Sequence, residues 1–405
     1  MKRIQFSTFA GLALAAVLCP LDASANHRTG SLILPELIVA GDFNQDGKLD
    51  LAVNNSGFDN VAILLGDGSG GMTLNGHHAT DTLPKGLQLG DVNRDGRLDV
   101  VTCNNWGYDE TILLGDGAGS FHSANPPNEI DGDGEPVRCL LRDFNNDGFL
   151  DLAVNAPDDN AILFYFGDGK GNFPAPSEEV EDIPHPFGMA AGDFNRDGNL
   201  DMAISCPTRD LGASIVTILL GDGTGEFTAS TFPVDDSPTS VQTTDLNRDG
   251  ILDLVVAGAL PENRNGNFIA TYLGDGAGNF SSKQSLPMGP GTLKGEIAVG
   301  DFNEDGAPDV AFPLTQGTFS PVAGPNPKST KVQIFLGDGN GSLVAGDTLT
   351  VGEEPHTATT ADFNGDGHAD LAVTNRTSGS VSVALGDGQG HFTISSTTSI
   401  INAAD

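Results

Sequence analysis

The chain has 405 residues, with 19 Lys plus Arg against 55 Asp plus Glu, a formal charge of −36 at neutral pH. That balance excludes a nucleic-acid partner, whose phosphates need Lys and Arg to neutralise them, and works against an anionic membrane surface. Charged residues are only 18% of the chain, whereas Gly and Pro number 54 and 23, so the acid is concentrated in places and the backbone turns often.

At the N-terminus, Lys2 and Arg3 precede an apolar run from Phe9 to Leu18, and Ala23-Ser24-Ala25 supplies a small-x-small cleavage site. This is the pattern of a signal peptide over residues 1–25. The run is too short to span a bilayer, and Leu18 before Cys19 is not the small residue a lipid-attachment signal wants. Cleavage near Ala25 leaves residues 26–405 as a secreted, periplasmic or cell-surface protein without membrane insertion, and takes the formal charge from −36 to −37.

From Pro35 onward one nonapeptide, DxNxDGxxD, recurs with spacings of 49, 52, 50, 52, 56 and 61 residues. It opens on Asp42, Asp91, Asp143, Asp193, Asp245, Asp301 and Asp362. A second motif, GDGxG, follows each copy, from Gly66, Gly115, Gly167, Gly221, Gly274, Gly337 and Gly386. In six of the seven copies a Pro stands seven residues before the first Asp (Pro35, Pro84, Pro136, Pro186, Pro238, Pro355); the sixth copy has Lys294 there. The repeats run at about 35–83, 84–135, 136–185, 186–237, 238–293, 294–354 and 355–405.

Each unit reads as four short strands. In the first unit, strand one covers Ile38 to Ala40, strand two Leu51 to Val53 and strand three Val61 to Leu65. Strand four starts near an aromatic in most units: Phe121, Phe173, Phe227, Phe280 and Phe392. Four antiparallel strands in ~50 residues, repeated radially, make a β-propeller blade; a β-solenoid has shorter repeats, about 20–30 residues. The expected fold is therefore all-β, a seven-bladed β-propeller over residues 26–405. Strand-one segments such as Ala190-Ala191-Gly192 are small, which suits the crowded channel. Residues 31–34 are the candidate for an outer strand beside the last blade. The remaining thiols, Cys103, Cys139 and Cys206, form no CxxC pair and read as buried strand residues; one disulfide between two of them is left open.

The nonapeptide joins strands one and two and has the chemistry of a calcium loop. Position three is Asn44, Asn93, Asn145, Asn195, Asn247, Asn303 or Asn364. Position five is Asp46, Asp95, Asp147, Asp197, Asp249, Asp305 or Asp366, and position nine is Asp50, Asp99, Asp151, Asp201, Asp253, Asp309 or Asp370. Oxygen-bearing side chains at one, three, five and nine can enclose a hard cation, and Gly at six permits the turn. A backbone carbonyl completes the set at position seven: Lys48, Arg97, Phe149, Asn199, Ile251, Ala307 or His368. Up to seven Ca²⁺ ions are expected. GDGxG has neither a following helix nor a Lys, so it reads as the turn between strands three and four and not as a phosphate cradle.

These loops resemble those of the FG-GAP/VCBS repeat family, the calcium-binding blades also found in the integrin alpha-subunit head. The family's Phe-Gly tag is matched by Phe187-Gly188, and its Gly-Ala-Pro tag is approached by Asn155-Ala156-Pro157. Gly306-Ala307-Pro308 lies inside a nonapeptide and is not the equivalent. The resemblance implies the propeller and its calcium, and leaves function open among adhesion modules, lectins and domains attached to enzymes.

Strand alternation puts the nonapeptide loops and GDG turns on one face and the other connections, which vary in length, on the opposite face, where recognition is expected. Trp106 and Tyr108 lie in one such loop and are the candidate ligand-binding pair, for a sugar ring or a protein; the alternative is that Trp106 covers a blade edge. His77 and His78 are consecutive in a strand or turn, would point to opposite sides, and read as surface residues. His356 and His368 are placed near the seventh loop, without catalytic roles. HExxH, GxSxG and a P-loop are absent, so no catalytic residue is named. The favoured function is recognition of an extracellular glycan or protein. The competitors are a polysaccharide lyase or hydrolase, which would need a basic or acid/base cluster outside the loops, and a passive scaffold.

Overall fold

In five units the second strand is buried along its whole length, as in Asp50–Asn55, while the fourth, as in Phe392–Ser399, is exposed at most of its residues. A strand covered on both sides and an outer strand half in water are what apolar runs followed by Ser/Thr-rich runs dictate. A computed structural model describes residues 34–123, 136–174, 178–207, 214–235, 237–259, 267–288, 295–316 and 328–401. The leader expected over residues 1–25 lies outside them, as do residues 208–213, 260–266 and 317–327 of the variable loops.

The described strands form seven four-stranded antiparallel sheets, each in sequential order. The first contains Pro35–Gly41, Asp50–Asn55, Asn60–Gly66 and Met72–Ala79. The first strands of neighbouring sheets touch in a closed cycle, the last against the first, and together line a central channel of about 600 Å³. The chain is a seven-bladed β-propeller with strand one innermost.

Seven hydrophobic clusters fill the seven gaps between blades. The period-two alternation of a strand feeds two of them at once: Leu51 and Val53 face the last blade, Ala52 the second. The second residue of the nonapeptide (Phe43, Val92, Phe144, Phe194, Leu246, Phe302, Phe363) is buried in every copy. Phe43 meets Phe121 of the next blade edge-on at 5.5 Å, and Phe194 and Phe302 meet Phe280 and Phe392 likewise. The Phe43 carbonyl also accepts from Gly119 N at 3.1 Å, so the last Gly of GDGxG staples its blade to the preceding one; Gly171, Gly278, Gly341 and Gly390 repeat the bond.

Two strand expectations change. Leu34 does not join the last blade: its N–H donates to Asn55 Oδ1 and its carbonyl accepts from Ser56 N, so it belongs to the first; residues 31–33 lie outside the described residues. The ring closes by side-by-side packing, with Ser396 Oγ and Thr398 Oγ1 donating to the carbonyls of Gly70 and Met72. In the third blade strand four is described from Glu178 and not from Phe173; Pro174, directly after Phe173, has no N–H for the ladder. Cys103, Cys139 and Cys206 are buried free thiols.

Candidate functional site

On one face the seven nonapeptides form a rim of oxygen atoms. In the first, Asp42 accepts Asp46 N on Oδ1 (3.1 Å) and Gly47 N on Oδ2 (2.8 Å), Asn44 Oδ1 accepts Asp46 N (3.0 Å), and Asp46 Oδ1 accepts Lys48 N (3.0 Å). The last of these recurs in every loop, at Arg97, Phe149, Asn199, Ile251, Ala307 and His368. Gly at position six has a positive φ, 82° at Gly47, as expected. Position four does too, 57° at Gln45 and 62° at Arg248. Six of its seven residues carry a Cβ, so the sequence gives no sign of that strain.

Position nine has a structural duty that pattern reading missed. Asp50 is fully buried; its Oδ2 accepts Phe43 N (2.9 Å) and its Oδ1 accepts Gly66 N (2.8 Å), tying the loop to the start of the GDG turn. Asp99, Asp151, Asp201, Asp253, Asp309 and Asp370 repeat both bonds. Burial raises these carboxyls, and the aspartates at positions five and one of the same loop add to it; Asp99, Asp151 and Asp309 reach about 6. Among the described residues no three His, Cys, Asp or Glu side chains converge as a metal would require. One loop differs from its siblings: Asp301 Oδ1 is buried without a hydrogen-bond partner.

The opposite face holds a second constellation, which no local motif announces. Five residues six places before the first Asp (Glu36, Lys85, Phe187, Thr239, His356) and two residues five places before it (Arg138, Glu296) stand at the start of the seven innermost strands or one to two residues ahead of it. With Val137, Pro207, Ser237 and Arg376, all of them except Glu296 line a cavity of about 400 Å³ at the channel mouth. Glu36 accepts from Lys85 Nζ, from Ser56 Oγ at 2.9 Å and from Arg376 Nη2 at 3.2 Å. Arg138 Nε reaches Glu296 Oε1 at 2.9 Å, from the third blade to the sixth, and its guanidinium lies 5.2 Å from the Phe187 ring centroid. Burial pushes Glu36 up, but Lys85, His356 and Arg376 together hold it down at about 2. Burial, then Arg376, Arg138 and Lys85, outweigh Glu36 and depress His356 to about 3, so it is neutral. In sequence the basic residues do not converge; in space Lys85, Arg138 and Arg376 do.

Trp106 and Tyr108 lie on this same face in the turn after strand two, 50% and 45% exposed, and are not part of the cavity lining. His356 is corrected in place: it stands at the channel mouth, at the far end of its strand from the seventh loop. His368 is in that loop and pairs with Glu304. His77 and His78 do point to opposite sides but are half-buried between blades, His77 Nε2 at 2.9 Å from the Ile400 carbonyl oxygen and His78 edge-on to Phe121 at 5.4 Å.

The FG-GAP-like repeat family profile matches residues 42–102, 91–154, 143–204, 245–312, 322–373 and 362–405. No curated protein matches the sequence. Among solved structures, the hydrazine synthase of Kuenenia stuttgartiensis is similar with a TM-score of 0.60 at 14% identity, over 90% of this chain and 98% of that one. A putative 6-phosphogluconolactonase of Bacteroides fragilis is similar at TM-score 0.59 and 14% identity, over 92% and 96%. A functionally unknown protein of Desulfotomaculum acetoxidans is similar at 0.54 and 11%, over 86% and 90%. At these identities the likeness is one of fold.

Proposed function

The chain belongs to the FG-GAP-like repeat family, and from that premise we propose that it is an exported, calcium-binding recognition module for an extracellular glycan or protein. The observation that carries the reading is the sevenfold rim of oxygen-only donor sets. At each loop positions one and three are half-buried and position five is exposed, and the position-seven N–H is already used within the loop, which leaves its carbonyl for a cation. Hard oxygen donors of this kind suit Ca²⁺. The buried, unpartnered Asp301 Oδ1 is an acceptor for which a cation is a fitting partner. Calcium would neutralise clustered carboxylates and so stiffen the rim from which the opposite loops are held.

A melting curve tests this. In 5 mM calcium the protein should unfold at least 10 °C higher than in EDTA, and Asp143→Ala with Asp193→Ala should reduce the gain. Identical curves with and without EDTA would sink the metal reading. A glycan array probed in millimolar calcium tests recognition, a silent array moving the weight to a protein partner.

A second reading, an enzyme acting on polysaccharide at the channel rim, is favoured by one observation: Lys85, Arg138 and Arg376 stand close to His356 outside the loops. Release of new reducing ends or unsaturated products from a polysaccharide would establish it.

A further inference from the structure

Among the described residues the channel-mouth cavity gathers three basic side chains, Lys85, Arg138 and Arg376, away from the acidic loops. Among the described residues Lys85, Arg138 and Arg376 pair with only Glu36 and Glu296, so one positive charge is left over in a chain of formal charge −36. Arg376 is the group in excess: Nη2 reaches Glu36, but Nε is buried without a hydrogen-bond partner. An unpaired guanidinium N–H is costly, the more so because the group is charged, and Arg376 lines the cavity, where an anion would offset that charge. The other walls bring hydroxyls, Ser237 and Thr239, and flat apolar surface, Phe187 and Pro207.

We propose that this cavity binds the carboxylate of an acidic sugar, a uronate residue, with Arg376 and Lys85 as the anion's partners. A single excess charge matches a monoanionic carboxylate better than a dianionic phosphate. The volume of about 400 Å³ accommodates one or two sugar rings, where an Asp or Glu side chain would fill only a fraction, and a ring face against Phe187 with hydroxyls toward Ser237 and Thr239 uses every wall. The ion pair of Arg138 with Glu296 closes the floor, since both residues also line the channel beyond. The inference rests on the reading of the protein as a glycan-recognition module and names its substrate class.

The test is calorimetric titration of the purified chain at fixed millimolar calcium with galacturonate and glucuronate and their short oligomers. Galactose, inorganic phosphate and a Glu-rich peptide serve as comparators. Uronate should bind, galactose should not, and both Arg376→Gln and Lys85→Gln should weaken uronate at least tenfold while keeping the calcium-dependent melting temperature. Two substitutions are used because Arg376→Gln also removes a partner of the buried Glu36; a folded Lys85→Gln still decides the matter. Equal affinity in wild type and folded variants overturns the assignment, as does phosphate or peptide binding as tight as uronate, or no heat with any uronate. If uronate fails while the melting shift persists and the array shows a neutral glycan, this cavity assignment falls and the recognition reading stands.

Discussion

Glu110 occupies a place that Val61, Ile162, Val216, Phe268 and Val381 fill in other blades, the second residue of strand three. Both its carboxylate oxygens are buried without partners among the described residues. Burial, then the neighbouring Asp109, pushes its carboxyl well above the usual range. Glu110→Val should therefore stabilise the protein by about 2 kcal/mol at neutral pH. The sign with pH follows from linkage. The folded state holds the proton more tightly than the unfolded one, whose carboxyl titrates near 4.5, so the wild type loses stability as pH rises above that value. The gain from Glu110→Val should be smallest at pH 4 and grow toward pH 7; a gain independent of pH would show Glu110 ionised or paired in the fold. The acid is visible in the sequence, but its burial is not, because Asp109-Glu110 reads as an ordinary polar turn after Trp106 and Tyr108.

At the scale of the element, the two motifs of each blade form one device. The position-nine Asp ties the loop to the GDG turn of its own blade, and in five blades the turn's last Gly is bonded to the blade before. Gly225 and Gly47 separate the two demands on such glycines. Both have positive φ, 98° and 82°, but a Cβ on Gly225 would run into the Phe166 ring, whereas one on Gly47 meets nothing within 4 Å. Gly47→Ala should cost about 1 kcal/mol, the left-handed conformation alone. Gly225→Ala should cost about 3 kcal/mol, with overpacking added. Equal losses in denaturant titrations would mean the interblade contact yields freely. Turns of both kinds were legible from residue types, since each is closed within nine residues. The staple between blades was not, because its partner carbonyl lies in the preceding repeat and any residue could supply it.

For the whole molecule, closure distinguishes this ring from one latched by an exchanged strand. Each blade is built from its own consecutive strands, and the gap between last and first is filled by the same kind of cluster as the other six. Stability is then shared among seven similar interfaces, and the position of the chain ends should matter little. A circular permutant that joins residue 401 to residue 34 through a Gly/Ser linker and opens between the fourth and fifth blades should melt cooperatively within about 5 °C of the parent. A permutant that fails to fold would show that the first and last blades hold the ring in a way the others do not.

Sequence alone determined the repeat, the number of blades, the sheet order and the placement of the acidic loops, because each depends on contacts within about 50 residues that recur seven times. What only the tertiary structure decided is the opposite rim. Glu36 meets His356 and Arg376 across 320 and 340 residues, and Arg138 meets Glu296 across 158. Those residues differ from blade to blade, so no periodicity marks them, and they become neighbours only when the ring closes and brings the starts of all seven inner strands to one axis.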